Sequence, residues 1–195
     1  MPSSKRPGSH PVTVEDSLEA RAARGDRAAF SALMTATKFD LHRFIRRYVG
    51  EDEEAWDLVQ ETYASAWLAM RRYDPVRAFP AWLRAIALNK CRDWGRKRTV
   101  RRMVRGVMGL DAPEAMAVGD DRPDPEARLD DRRRVAALDR ALAGLPDQLK
   151  APLILSALEG RSHADIARIV GATPKAVETR IARARARLAE IMKAS

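Results

Sequence analysis

The sequence predicts an all-α protein with two small helical domains joined by a flexible linker, and with a helix-turn-helix in the C-terminal domain. Three observations predict this class. Apolar residues recur at three- and four-residue spacings, no segment alternates apolar and polar residues as a β-strand would, and an acidic segment with few large apolar residues separates two helical stretches. A chain of 195 residues has room for two small domains.

The first helical stretch contains three amphipathic segments. Asp26 is the predicted N-cap of the first segment, which ends at Gly50. The second segment spans about residues 52–72 and ends before an Asp-Pro break, and the third begins near Phe79. These segments make up the first helical domain, which we place at residues 13–98.

The charge of the chain changes sign between the two helical stretches. Residues 90–105 contain eight basic residues and one acidic residue, whereas residues 111–131 contain eight acidic residues and two arginines. The acidic segment also contains three prolines, and this composition argues against a packed core. We therefore predict a flexible linker at 99–131 and, from its Pro, Ser and Gly content, a flexible tail at 1–12.

The C-terminal domain, which we place at 132–195, contains the clearest local motif. Ser162 is a predicted N-cap, and the helix that follows it reaches Gly171, which permits a left-handed turn. Thr173 can cap the next helix, with Pro174 at the first helical position. This order of caps and turn is typical of a helix-turn-helix.

The second helix of this motif has a face suited to DNA. At about 100° per residue, Lys175, Thr179 and Arg183 lie opposite the apolar face, and Arg180 lies nearer the apolar rim. Short and basic side chains on this outward face would let the start of the helix enter a major groove. The basic residues alone would favour an ordinary solvated helix, but the caps and the glycine turn reverse this preference and favour DNA binding.

Composition limits the function classes. The chain has 36 Lys and Arg against 27 Asp and Glu, a formal net charge of +9, which favours nucleic acid as a partner. A single cysteine, Cys91, three scattered histidines and no glycine-rich phosphate loop predict no catalytic site, no metal site and no cofactor. No signal-peptide core or long apolar run occurs, so we expect a cytoplasmic protein with no membrane insertion.

Two sequence segments identify a family resemblance. Ala55–Trp67 (AWDLVQETYASAW) and Phe79–Asn89 (FPAWLRAIALN) resemble region two of bacterial sigma factors, in particular the extracytoplasmic-function (ECF) group. Residues Leu145 to Arg185 resemble region four of the same group. The two motifs occur in the order found in that group, with a linker between them.

The resemblance implies a promoter-specificity subunit of RNA polymerase. The first domain would bind the clamp helices of the beta-prime subunit and melt the minus-ten promoter element. The second domain would lie on the flap of the beta subunit and read the minus-thirty-five element, so Lys175, Thr179, Arg180 and Arg183 are the candidate contacts there. Members of this group are usually held inactive by an anti-sigma factor, and such a partner is implied here too.

An acidic stripe in the first domain indicates a protein partner. No basic residue occurs between Tyr48 and Met70, and an acidic surface would repel DNA. The resemblance assigns Asp57, Gln60 and Glu61 to the contact with core polymerase. A solvated helix face is the alternative interpretation.

Promoter melting needs aromatic faces and cations that capture extruded bases. From the chemistry of this loop and the resemblance, we predict minus-ten contacts at Tyr73, Arg77, Trp82 and Asn89, with Arg84 among the neighbouring cations. Core packing is the alternative for the aromatic residues, because they lie at the start of an amphipathic helix.

Three questions stay open at this stage. Glu178 departs from the common pattern of the family, and it either accepts from a cytosine amino group, pairs with Lys175, or faces away from DNA. A stand-alone helix-turn-helix regulator with an N-terminal dimerisation or sensing domain is the alternative function. A third possible function is that of a helical enzyme acting on nucleic acid, which would need a carboxylate or metal site on the acidic stripe.

Overall fold

The computed structural model describes residues 17–75, 77–107, 135, 137–142 and 144–193. No β-strand occurs among these residues, which confirms the predicted all-α class. Each of their helices is too short or too polar to cross a lipid bilayer. The helices are α1 (Leu18–Ala23), α2 (Arg27–Val49), α3 (Asp52–Ala69), α4 (Phe79–Val107), α5 (Asp147–Ala157), α6 (His163–Val170) and α7 (Pro174–Lys193), with a 3₁₀ turn at Met70–Arg72 and a short helical segment at 137–142.

The predicted caps fix the helix ends. The Asp26 carboxylate accepts a hydrogen bond from the Ala29 amide at 3.0 Å at the start of α2. In the helix-turn-helix, the Ser162 hydroxyl accepts from the Asp165 amide at 3.1 Å, and the Thr173 hydroxyl accepts from the Ala176 amide at 3.2 Å. Each cap satisfies an amide that the helix itself leaves without a partner.

Helix α4 is longer than the sequence predicted. It continues from Phe79 through Gly95 to Val107, so the first nine residues of the predicted linker, 99–107, are helical. Val100, Met103 and Val104 on this last part of the helix are exposed. The acidic segment 111–131, on which the linker prediction depended, lies outside the described residues.

Two groups of helices form the two halves of the core. In the N-terminal half, α2, α3 and α4 pack against one another and α1 covers α2. In the C-terminal half, α5, α6 and α7 pack together around Ile154, Ile166 and Val177, which are almost fully buried. Apolar side chains on the facing stripes of these helices exclude water, and this burial is the main source of stability in each half.

The two halves are in direct contact. Helices α2 and α4 pack against α5 and α6, and ion pairs link them. The Arg84 Nε atom donates to the Glu159 carboxylate at 2.7 Å, and Arg47 donates to Asp139 at 3.3 Å. A second arginine, Arg46, lies 3.9 Å from the same Asp139 carboxylate. The sequence predicted two tethered domains and did not predict this contact.

Candidate nucleic-acid and protein interfaces

The outward face of α3 carries the predicted acidic stripe. Asp57, Gln60 and Glu61 are all exposed, and their spacing places them on one side of the helix. Leu68 lies on the same side near the end of the helix and is 84% exposed. Glu61 is 3.5 Å from the Lys90 ammonium, so part of the negative charge is balanced by α4. A face with acids at one end and an exposed leucine at the other suits a protein partner better than a nucleic acid.

An apolar groove borders this face between α2 and α3. The groove has a volume of about 520 Å³, and Gln60 lies on its wall. Lys38 lies over the ring of Trp56 at the groove, with its ammonium 5.0 Å from the ring centre. The acidic stripe and the groove therefore form one continuous surface with Gln60 in common.

The predicted minus-ten residues divide into two sets. Arg77 and Asn89 are exposed, as a contact with DNA requires. Trp82 is half-buried, whereas the Tyr73 ring is only 5% exposed and packs 4.9 Å from Trp82 and 5.9 Å from Phe79, measured between ring centres. The Tyr73 hydroxyl donates to the Arg77 carbonyl, and burial raises the pKa of Tyr73 to about 12. In this arrangement Tyr73 shapes the loop that carries Arg77 and has no free face for a base.

Arg84 corrects an expectation from the sequence. It was counted among the cations near the minus-ten loop, but its side chain is buried at 5% exposure. Its guanidinium donates to Glu159 and to the Pro80 carbonyl, the latter at 3.2 Å. A buried charge requires such partners, so Arg84 joins the two halves of the protein in this structure.

The outward face of α7, which the sequence predicts to contact DNA, is open to solvent. Lys175, Thr179 and Arg183 are exposed along one side, and Arg180 is half-buried nearer the apolar face, as the helical geometry predicted. The Thr179 hydroxyl donates to the Lys175 carbonyl at 3.0 Å. The helix therefore presents its first two turns, with basic and small polar groups, without obstruction from the rest of the described chain.

Glu178 pairs with Lys175 on the same surface. The Lys175 ammonium donates to the Glu178 carboxylate at 2.9 Å, and both side chains remain largely exposed. The hydrogen bond from Lys175 lowers the pKa of Glu178, so the carboxylate stays ionised at neutral pH. Of the three alternatives in the sequence analysis, pairing with Lys175 occurs in the structure.

The interface between the halves is the functional feature that sequence analysis missed. Arg84 and Asp139 both occupy positions on apolar helix faces, next to Leu83 and Leu138. A charged residue on an apolar stripe is the signal that was available. Its partner could not be named from sequence, because Arg84 and Glu159 are 75 residues apart.

The helical-enzyme alternative would need the carboxylates of α3 to hold a metal ion. Among the described residues, no group of three His, Cys, Asp or Glu side chains could hold a metal ion. The Glu54 carboxylate instead accepts from the Trp94 indole nitrogen at 2.8 Å.

Comparison with known proteins agrees with this arrangement. Residues 33–101 match the family model "Sigma-70 region 2", and residues 136–188 match "Sigma-70, region 4". The RNA polymerase sigma factor CnrH of Cupriavidus metallidurans is 36% identical over 95% of this chain and 97% of its own length. The chain belongs to the sigma-70 family, as an ECF sigma factor. Because the first domain matches region 2, a sigma factor describes this chain better than a stand-alone helix-turn-helix regulator does.

Other sigma factors are also similar to this ECF sigma factor in sequence and structure. SigM of Mycobacterium tuberculosis, an ECF sigma factor, is 32% identical over 95% of this chain and 87% of its own. The solved structure of CnrH in complex with the cytosolic domain of CnrY has a TM-score of 0.65 and 30% identity, covering 93% of this chain and 99% of that one. RpoE of Bartonella quintana with the anti-sigma factor NepR also has a TM-score of 0.65, at 26% identity, covering 84% and 96%. As a sigma factor, the protein binds core RNA polymerase and directs promoter recognition and transcription initiation.

Proposed function

We propose that the exposed face of α3 is the docking surface for the beta-prime clamp helices. The observation that carries this proposal is the exposure of Asp57, Gln60 and Glu61 on one side of a helix whose opposite side is buried. Charged groups at such an interface set orientation and association rate, and the adjoining groove and Leu68 supply apolar area.

The minus-ten contact is assigned to the loop before α4 and to the outward side of that helix. Arg77 and Asn89 would contact the strand directly, and Trp82 would offer one edge of its ring to a base. Tyr73 would act as a positioning residue, because its hydroxyl bonds the Arg77 carbonyl. Residues 13–98 remain our proposed extent of this domain, with the helical extension to Val107 added.

The minus-thirty-five contact is assigned to the first turns of α7. Lys175, Thr179 and Arg183 would face the groove, and Arg180 would reach a phosphate from the side. The side of the C-terminal domain, 132–195, that faces away from α7 would lie on the beta flap. These assignments carry the family's function onto exposed residues of this chain.

Partners and setting follow from the same proposal. The relatives CnrH and RpoE were solved in complex with CnrY and with the anti-sigma factor NepR, and an anti-sigma factor is our proposed regulator for this chain. The protein would act in the cytoplasm, where its polymerase is. It would have no catalytic activity of its own, because the polymerase performs the chemistry.

Charge reversal on α3 tests the polymerase contact. We expect Asp57→Arg to weaken binding to core polymerase by at least about 25-fold, because truncating or reversing a charge at such an interface costs about 2 kcal/mol or more. Binding would be measured by titrating labelled protein with purified core polymerase. Glu190→Arg is the matched control, since Glu190 is an exposed acid on α7 and undergoes the same change of charge.

The outcomes separate folding from binding. Both variants should keep the helical circular dichroism and melting temperature of the wild type, because both side chains are exposed. Equal affinities of Asp57→Arg and wild type for core polymerase would contradict the assignment of this face.

A further inference from the structure

The first two turns of α7 contain one acidic residue, Glu178, that the contacts above do not use. We propose that Glu178, held in place by Lys175, reads the cytosine of one C·G base pair in the minus-thirty-five element. This inference rests on the proposed docking of α7 in the major groove, and it adds a specificity-determining residue to that contact. It concerns which base is preferred, a property that exposure and net positive charge alone do not determine.

The geometry of the pair provides one donor and one acceptor side by side. Glu178 follows Lys175 by three residues, which places it about 60° around the helix from Lys175, at the edge of the outward face. The two charged groups are 2.9 Å apart, and both are exposed to solvent. An ionised carboxylate accepts hydrogen bonds and donates none, whereas the Lys175 ammonium has three hydrogens and keeps two for other partners.

A carboxylate in the major groove needs a hydrogen-bond donor beside it. The phosphates on either side of the groove repel it, and Lys175 offsets this repulsion locally because its ammonium already lies beside the carboxylate. Contact with an acceptor would leave Glu178 with a repulsive neighbour in a partly dehydrated interface. Its position therefore selects against bases that present only acceptors, which are guanine and thymine.

Cytosine fits better than the other base with a donor. Adenine presents its N6 amino group beside the N7 acceptor, whereas cytosine presents its N4 amino group without an acceptor next to it. The ionised Glu178 carboxylate is repelled by N7 and therefore favours cytosine. Guanine O6, which is hydrogen-bonded to that N4 group, then faces the Lys175 ammonium. The cytosine N4 and guanine O6 atoms of the base pair, being hydrogen-bonded, lie about 2.7–3.2 Å apart. The Lys175 ammonium and the Glu178 carboxylate lie 2.9 Å apart, so the two spacings match.

Selection of promoter sequences tests this inference. Holoenzyme would be formed from the full chain and core polymerase, and used to select from duplex DNA randomised upstream of the start site. The variants are Glu178→Gln and a matched control, Glu190→Gln. Glu190 is exposed on the same helix, and twelve residues place it about 18 Å further along the axis. Both variants lose one negative charge from α7.

Each outcome has a defined meaning. Wild type and Glu190→Gln should both prefer cytosine at one upstream position by roughly 5- to 150-fold. Glu178→Gln should move that preference to adenine, because a glutamine amide bonds both N6 and N7. The same base preferences in Glu178→Gln and wild type would overturn the inference, as would a uniform change on all sequences. If no holoenzyme selects any upstream element, the proposed minus-thirty-five contact fails as well.

Discussion

The ion pair between the two halves of the protein leads to a quantitative prediction. The minus-ten and minus-thirty-five elements are 25 base pairs apart by their names, which is about 85 Å of duplex at about 3.4 Å per pair. A compact body of the roughly 150 residues that the structure describes has a radius of gyration of about 15 Å. The closed arrangement therefore cannot reach both elements at once, and the contact between the halves must open when the sigma factor engages a promoter.

Glu159→Gln should favour opening. In the closed form the Arg84 guanidinium is buried and has two acceptors, the Glu159 carboxylate and the Pro80 carbonyl. Removing the carboxylate charge leaves a buried cation poorly compensated, which costs about 3–5 kcal/mol. In the open form water would solvate Arg84, so the cost falls on the closed form alone. The ratio of open to closed molecules should rise by roughly 100- to 4,000-fold.

Electron spin resonance between two labels would measure this shift. Exposed Ala36 on α2 and exposed Ala189 on α7 would be replaced by labelled cysteines in a Cys91→Ala background. Glu159→Gln should add a population at longer distance, and Glu190→Gln should not. Arg84→Met should have a smaller effect than Glu159→Gln, because Glu159 keeps Arg161 as a partner at 2.5 Å.

The result that would refute this reasoning is specific. If Glu159→Gln and wild type give the same distance distribution, the buried ion pair does not hold the halves together. Arg84→Met could also open the protein as far as Glu159→Gln does. That result would contradict the expectation that Glu159, which keeps Arg161 as a partner, tolerates the loss of its ion pair better than Arg84 does.

Three further predictions concern Gly171 and Arg183 in the helix-turn-helix and Gly95 in α4. Gly171→Ala should lower the free energy of unfolding by about 1–2 kcal/mol in urea titration, because Gly171 has φ of 67° and a side chain there is strained, although no atom lies within 4 Å of the added Cβ. Gly95→Ala should instead raise it by about 0.5–1 kcal/mol, because Gly95 lies inside α4 with open space around it; equal effects of the two substitutions would contradict both. Arg183→Ala should cost about 1–3 kcal/mol of promoter binding if the side chain reads a base, as measured by titration on promoter and on unrelated duplex. Arg185→Ala is its control, being an exposed arginine on another side of α7, and a loss of equal size on both duplexes would make Arg183 a phosphate contact.

Local signals in the sequence were sufficient for the helix ends. The caps at Asp26, Ser162 and Thr173 each bond an amide three residues later, so all the information lies within one turn. Gly171 adopts the predicted left-handed conformation for a similar reason, since its neighbours along the chain determine the need for it. These features required no knowledge of tertiary contacts.

Residue type alone was a poor guide to exposure at the minus-ten loop. Tyr73 was predicted to contact DNA because it is aromatic and lies in a loop, yet its ring packs against Phe79 and Trp82. An aromatic residue at the start of an amphipathic helix fits both a core and a stacking platform, and only the position of the neighbouring helices separates the two. Asn89 is exposed because it lies on the opposite side of α4 from Leu83 and Ala87, which the helical period does predict.

The charged character of the contact between the halves suits a protein that must open. Arg84, Glu159 and Asp139 are mostly buried in the closed form, and a buried ion pair contributes little net stability once the loss of hydration is counted. On opening, each charge regains water, whereas an apolar interface of the same area would expose surface at about 25 cal/mol per Å². Ion pairs thus give the closed form a defined geometry with a small net energy. A polymerase or an anti-sigma factor could then shift the balance between closed and open forms with a modest difference in its affinity for the two.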